Sequence, residues 1–218
     1  MSERLSAQTG IVFHLITEKE QLNYKYLRTL APEIVFFTHW SFMIPREIYE
    51  EFTCVIFHMT DLPFGRGGSP LQNLIAKGFT QTKLSALQCV KELDAGPIFL
   101  KRDLSLYGNA EEIYLRASNL IEEMIIEILE QLPQPLPQEG EIVSFKRRKP
   151  KDGNLFGISS LAKRFDFIRM LDADGYPSAF IEHDGFRYEF SRASIKSNYL
   201  LADVKITPLK KDICDEDN

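Results

Sequence analysis

The chain is poor in the features that mark metal, dinucleotide or membrane work. Its 218 residues include three cysteines, Cys54, Cys89 and Cys214, with no CxxC or other metal-ligand spacing. An odd count makes a poor disulfide framework, which argues for a reducing compartment and so for the cytoplasm. The first ten residues, MSERLSAQTG, lack the apolar core of a signal peptide. No later window holds the ~18 apolar residues that a membrane helix needs. GxGxxG is absent, and the one glycine-rich loop, Gly65-Arg66-Gly67-Gly68, has neither dinucleotide nor P-loop spacing. Excess positive charge is missing too. A net charge of −5 argues against a general nucleic-acid binder, which needs a concentrated Lys/Arg surface. No internal repeat is evident.

What is present suits an ordinary globular protein. At 44% hydrophobic content the chain can bury one large core, or one core plus a small appendage. The apolar run Ile11 to Ile16 predicts a strand, and Thr17 followed by Glu20 predicts a capping-box start for a helix over Glu18 to Leu30. Glu33 to His39 predicts a strand, Pro45 to Phe52 a short helix, and Thr53 to His58 another strand. This β-α-β-α-β order implies an α/β fold with a mainly parallel, Rossmann-like sheet and active residues just beyond the strands' carboxyl ends. A helix over Ser69 to Lys77, strands over Thr82 to Val90 and Pro97 to Leu104, and a long amphipathic helix over Glu111 to Leu132 follow.

The Pro-rich PQPLPQEG, Pro133 to Gly140, marks a boundary, and the basic run Lys146 to Lys151 follows it. The domain reading is therefore 1–132 for the main domain, 133–153 for a linker, 154–207 for a small β-rich extension and 208–218 for an acidic, disordered tail. Within the extension, His183-Asp184-Gly185 between two apolar runs is a hairpin signal.

Chemistry concentrates in Phe57 to Pro70, FHMTDLPFGRGGSP, and in the later LDAGPI segment from Leu93. A histidine ending an apolar strand, a basic glycine-rich loop and a second strand-edge carboxylate suit acid/base work. His58 and Asp94 are the candidate pair. Asp94 alone would read as a turn former before Gly96 and Pro97, and a lone histidine is most often a satisfied core residue. His14, His39 and His183 lack comparable support and read as structural.

The order and spacing of these two segments resemble the HxSLLPxxxG and DxGxI signatures of the N10-formyltetrahydrofolate-dependent formyltransferases. The resemblance covers roughly Ile11 to Ile195, lacks one or two opening βα units, and implies a formyltransferase sheet with a shortened start. It implies an enzyme that uses N10-formyltetrahydrofolate, with His58 as catalytic histidine and Asp94 as its orienting or proton-relaying partner. It places the folate ring against Phe42, Met43 and Ile44 and against Lys91, Glu92 and Leu93, with Trp40, Phe64 and Arg66 facing the acceptor. The family's asparagine two residues before the histidine, which holds the formyl oxygen, is replaced by Ile56. Thr60, Asn73, His58 itself or a backbone N–H could stand in as donor. The usual Ser-Leu-Leu reads Thr60-Asp61-Leu62, and Asp61 could recognise an amine or merely cap the loop.

Among acceptors, the acidic composition and short tail favour the primary amine of a nucleotide-linked amino sugar by analogy, and set nucleic acid aside. Two rival readings accompany it: a catalytically silent folate or nucleotide-sugar binding module, motivated by Ile56, and a methionyl-tRNA formyltransferase-like enzyme. The apolar face of the long helix is core, and part of it could serve a homodimer.

Overall fold

The computed structural model describes residues 1–209, which fall into two compact units. The first comprises residues 1–71, 80–107 and 113–147; the second comprises 72–79, 108–112 and the chain from 148. The acidic tail expected to be disordered lies, from residue 210 on, outside the described residues, as does Cys214.

In the first unit, a four-stranded sheet runs in the order β1 (Ile34–Phe37), β2 (Thr53–His58), β4 (Gln81–Gln88), β5 (Ile98–Ser105). β1 and β2 are parallel, joined through α3 (Arg46–Glu51); β4 is antiparallel to β2, and β5 to β4. The α/β fold therefore combines parallel and antiparallel pairing. The reason is connection length: the stretch 89–97 is shorter than the roughly dozen residues that a parallel crossover needs, so β5 can only return antiparallel. A second, two-stranded parallel pair joins β3 (Phe64–Gly67) to β6 (Val143–Phe145), which lies beyond the Pro-rich connector.

Several expected elements changed. Ile11 to Ile16 forms no strand, and Ile11, Val12 and Leu15 are exposed. A β-prone run stays irregular when no neighbouring ladder receives it. Ahead of it lies an unexpected helix, α1 (Ser2–Thr9), ended by Gly10 in the left-handed region at φ 71°. The helix expected over Glu18 to Leu30 is broken: a 3-10 turn at Lys19–Gln21, with its capping box between Glu18 and Gln21, precedes α2 (Tyr24–Leu30). Asn23 restarts the helix, its side chain accepting from the Tyr26 N–H at 2.9 Å.

The core follows the strand alternation. Val55, Leu84, Ala86, Leu87 and Leu104 are fully buried, as are Ile113, Ala117 and Met124 along α5 (Ala110–Gln131). Each of the larger ones, Val, Leu, Ile or Met, contributes about 1.5–3 kcal/mol. On the β2 face that carries Cys54, Ile56 and His58, a cluster of Leu22, Leu27, Phe37, Ile48, Cys54 and Cys89 packs with Ile44, Trp40 and Ile56 at its margin.

The second unit holds α6 (Leu161–Arg169), capped by Ser160, and an antiparallel sheet of β7 (Ala179–His183), β8 (Phe186–Ile195) and β9 (Leu200–Pro208). The predicted hairpin is present: Asp184 and Gly185, at φ 47° and 78°, make its two-residue turn. Within this unit α4 (Pro70–Ala76) contributes Gln72, whose amide donates to Met170 O at 3.3 Å. Among the described residues no helix is long and apolar enough to cross a membrane.

Candidate active site

His58 is the last residue of β2 and is buried with Thr60, Ser85 and Asp94, a polar group set into an otherwise apolar interior. Buried polar atoms need partners, and these have them. The Gly65 carbonyl faces His58 Nε2 at 2.8 Å. A carbonyl can only accept, so Nε2 carries a proton and donates. The Thr60 hydroxyl donates to the same carbonyl at 3.4 Å, and Ser85 Oγ donates to Thr60 O at 2.7 Å. Thr60 is therefore committed to the loop. Asn73 lies on α4 in the second unit.

Asp94 arrives by an indirect route. β4 runs antiparallel to β2, and Cys89, just past its end, donates its N–H to Cys54 O at 2.8 Å, near the beginning of β2. From there the segment folds back until Asp94 Oδ2 lies 3.7 Å from His58 Nδ1, at the other end of the strand. Gly96 makes the return feasible, because a Cβ there would sit 1.8 Å from Gln88 O. Asp94 itself adopts φ 53°, a left-handed conformation that Asp tolerates better than most residues. Its Oδ2 accepts from the Gly67 N–H at 2.9 Å.

This geometry defines the proton's place. With Nε2–H turned to Gly65, the neutral ring presents its Nδ1 lone pair on the side of Asp94. A proton taken up at Nδ1 would complete an imidazolium–carboxylate pair in a poorly hydrated setting. Gly65 fixes the tautomer, while Asp94 stands ready for the charged form. Among the described residues, Cys54 and Cys89 offer no rival nucleophile. Burial pushes the Cys54 thiol up to about 12, with Cys89 adding, and the Cys89 thiol up to about 11, with the charge of Asp94 adding.

The other expected residues separate into groups. Phe42, Met43 and Leu93 are exposed apolar side chains, and Lys91 and Glu92 are exposed beside Leu93. Ile44 instead turns toward the core cluster. The Trp40 ring packs between Phe37 and Phe42, centroids 6.1 and 5.5 Å away, and its indole N–H is buried with no partner among the described residues. Phe64 stacks edge-on against Phe145 at 5.5 Å. Asp61 pairs with Lys101 at 2.5 Å, and Lys101 also donates to Leu62 O at 2.5 Å, so Asp61 caps the loop. Ile56 shares the strand face of His58 and supplies no donor.

Sequence reasoning missed Lys101, Ser85 and Gln138. Gln138 belongs to the Pro-rich connector, yet its Nε2 donates to Asp94 O and Gly96 O, both at 2.8 Å. Its Oε1 accepts from Arg66 Nε at 3.1 Å and Nη2 at 2.6 Å. Nothing in a glutamine set between Pro137 and Glu139 signals such contacts. His39 bonds Ser118 at 3.2 Å, and His183 lies exposed at the hairpin. Among the described residues no group of three or more His, Cys, Asp or Glu could hold a metal ion.

Comparison with known proteins adds the following. The family profile described as methionyl-tRNA formyltransferase, C-terminal domain, matches residues 150–207. The solved methionyl-tRNA formyltransferase from Clostridium thermocellum is 49% identical, with a TM-score of 0.92, over 95% of this chain and 92% of that one. The curated methionyl-tRNA formyltransferase of Thermodesulfovibrio yellowstonii is 31% identical over 153 residues, 66% of this chain and 50% of its own length. The chain thus spans about half the length of the curated relatives it matches. A sugar N-formyltransferase from Shewanella sp FDAARGOS_354 is 16% identical with a TM-score of 0.64, over 88% of this chain and 80% of that one; this likeness concerns the fold alone.

Proposed function

The chain belongs to the formyltransferase family, methionyl-tRNA formyltransferase-like, and from that premise we propose that it transfers the formyl group of N10-formyltetrahydrofolate to the α-amine of methionyl-tRNA. The observation that carries the reading is the buried His58–Asp94 pair of this family's motif, with Nδ1 of the imidazole turned to the carboxylate.

The expectation of an amino-sugar acceptor is overturned. The curated relatives and the 49%-identical structure are methionyl-tRNA formyltransferases, whereas the sugar enzyme shares only the fold. Two inferences failed for physical reasons. Net charge is a sum over the whole chain and says little about one patch. The extension read as pointing away from tRNA lies within the segment, 150–207, that matches the methionyl-tRNA formyltransferase C-terminal domain.

In the proposed reaction the acceptor nitrogen bonds the formyl carbon and the carbon–N10 bond breaks. His58 Nδ1 takes the proton released by the amine, Asp94 holds the imidazolium, and the proton passes to N10 as it leaves. The folate ring would lie against the Phe42-Met43-Ile44 and Lys91-Glu92-Leu93 segments. Exposed Phe42, Met43 and Leu93 fit that role, since apolar side chains facing water suit a flat aromatic ligand. Arg66, Phe64 and Trp40 would face the acceptor. Lys146, Arg147, Lys149 and Lys151 are exposed and suit phosphates, whereas Arg148 stacks on Phe167 at 5.1 Å. All of this chemistry suits the cytoplasm.

The test is direct: the purified chain is supplied with N10-formyltetrahydrofolate and methionyl-tRNA, and formylmethionyl-tRNA is measured across a salt series. Product whose rate falls steeply with salt is expected, the fall being shallower in Lys146→Ala/Arg147→Ala. Absence of product from methionyl-tRNA would refute the reading.

A further inference from the structure

We propose that Gln138 is a positioning residue for formyl transfer, setting with one amide both the turn that carries Asp94 and the side chain of Arg66. The claim rests on the function proposed above. Its basis is a saturated amide: two N–H groups on two carbonyls, and one oxygen receiving two guanidinium donors. An amide has two donors and two acceptor lone pairs, so every bonding position is filled. Glutamate has no donor for the carbonyls, lysine has no acceptor for the guanidinium, and asparagine is one methylene short.

The two carbonyls flank Ala95, so Gln138 pins the backbone on either side of the turn that starts at left-handed Asp94. A non-glycine residue in that conformation persists only when its surroundings hold it. With the turn pinned, the Asp94 carboxylate meets the Gly67 N–H at 2.9 Å and stands 3.7 Å from His58 Nδ1. The connector is itself anchored two residues earlier, where Leu136 and Ile98 exchange backbone hydrogen bonds of 2.7 and 2.9 Å. On its other side the amide immobilises Arg66 through Nε and Nη2, leaving Nη1 without a partner among the described residues. A guanidinium held this way is pre-oriented for an anionic group of the acceptor. Gln138 touches none of the reacting atoms; it acts through Asp94 and Arg66.

Gln138→Met removes both sets of bonds, and Gln138→Glu removes only those to the carbonyls. In the full chain, both variants should lower kcat by about tenfold or more, since small misplacements of reacting groups carry costs of up to ~10². KM for N10-formyltetrahydrofolate should stay within about twofold, while KM for methionyl-tRNA rises in Gln138→Met alone, because Glu still receives Arg66. In ligand-free protein, the Gly67 amide proton should move upfield in both variants as its bond to Asp94 weakens. A kcat within about twofold of the parent in both variants would overturn the proposal. If the parent chain makes no formylmethionyl-tRNA, the functional reading fails by itself, and the Gly67 resonance then decides: unmoved in both variants, it overturns the positioning role. Should Gln138→Met not fold, Gln138→Glu decides by the same two readouts.

Discussion

The Gly67 backbone N–H donates to Asp94 Oδ2 at 2.9 Å, joining the glycine-rich loop to the carboxylate that faces His58. The loop glycine is thus part of the acid–imidazole arrangement and not only a turn. A Cβ on Gly67 would stand 2.5 Å from Phe145 O, and its φ of 103° disfavours any side chain. The distance from loop to carboxylate is therefore set by β3 lying against β6.

Asp94→Asn keeps an oxygen for the Gly67 N–H but loses the charge that supports an imidazolium, and His58→Asn removes the proton acceptor. Each should lower kcat by ~10² or more, the usual contribution of a positioned acid or base. Thermal melting should change little in Asp94→Asn. Steady-state formyl transfer together with melting curves checks this, and undiminished turnover in both variants would remove the pair from the mechanism.

Ile56→Asn places a donor on the β2 face that carries His58. If stabilisation of the developing oxyanion limits this chain, kcat should rise, since one such donor is worth ~10² to 10³ elsewhere. An unchanged or lower kcat would mean that another group, such as a backbone N–H, already serves. The comparison needs single-turnover rates, which separate chemistry from product release.

Gly96→Ala should destabilise the first unit and abolish turnover. The new methyl would meet Gln88 O at 1.8 Å, and backbone cannot swing aside as a side chain end can. A cost of about 1–3 kcal/mol is expected for such overpacking, read as a fall in the denaturant midpoint. Retention of both midpoint and activity would contradict the close approach of the Asp94 turn to β4.

Cys54 and Cys89, raised to about 12 and about 11, hold almost no thiolate at pH 8, so a thiol reagent should leave both unmodified until denaturant is added. The stability consequence has a definite sign. The folded pKa values exceed the ordinary thiol value, so the unfolded chain ionises first as pH rises. Stability from the buried thiols is complete below about pH 9 and declines as pH climbs toward 11–12. Denaturant midpoints from pH 7 to 11 measure it; fast native labelling of either cysteine at pH 8 would contradict the burial.

Elements decided by nearby residues were legible in the chain. β2 ending at His58, the long α5 and the Asp184-Gly185 hairpin all follow from apolar periodicity or local turn chemistry, which act over a few residues. The Ile11 to Ile16 run misled because strand formation needs a neighbour as well as propensity. The Glu18 to Leu30 helix was placed early because a capping box can also close a 3-10 turn, as Glu18 and Gln21 do. For the candidate site, the motifs single out His58 and Asp94, and the two side chains lie 3.7 Å apart. Gln138 and Lys101 were not found, because each reaches the site from a segment whose own pattern concerns something else.

By itself, the sequence determined the residue types and order of the candidate site: a strand-end histidine, a glycine-rich loop and a carboxylate before a glycine. It also determined the apolar stripes that build α5 and the strands. These are consequences of side-chain chemistry and short-range periodicity. Only the tertiary structure decided that β4 and β5 run antiparallel to β2, that Gly65 holds one imidazole nitrogen while Asp94 faces the other, and that Gln138 ties the connector to the Asp94 turn. Such contacts join residues far apart in the chain, and their geometry is set by packing and by the need to satisfy every buried hydrogen-bonding group together, which no local pattern encodes.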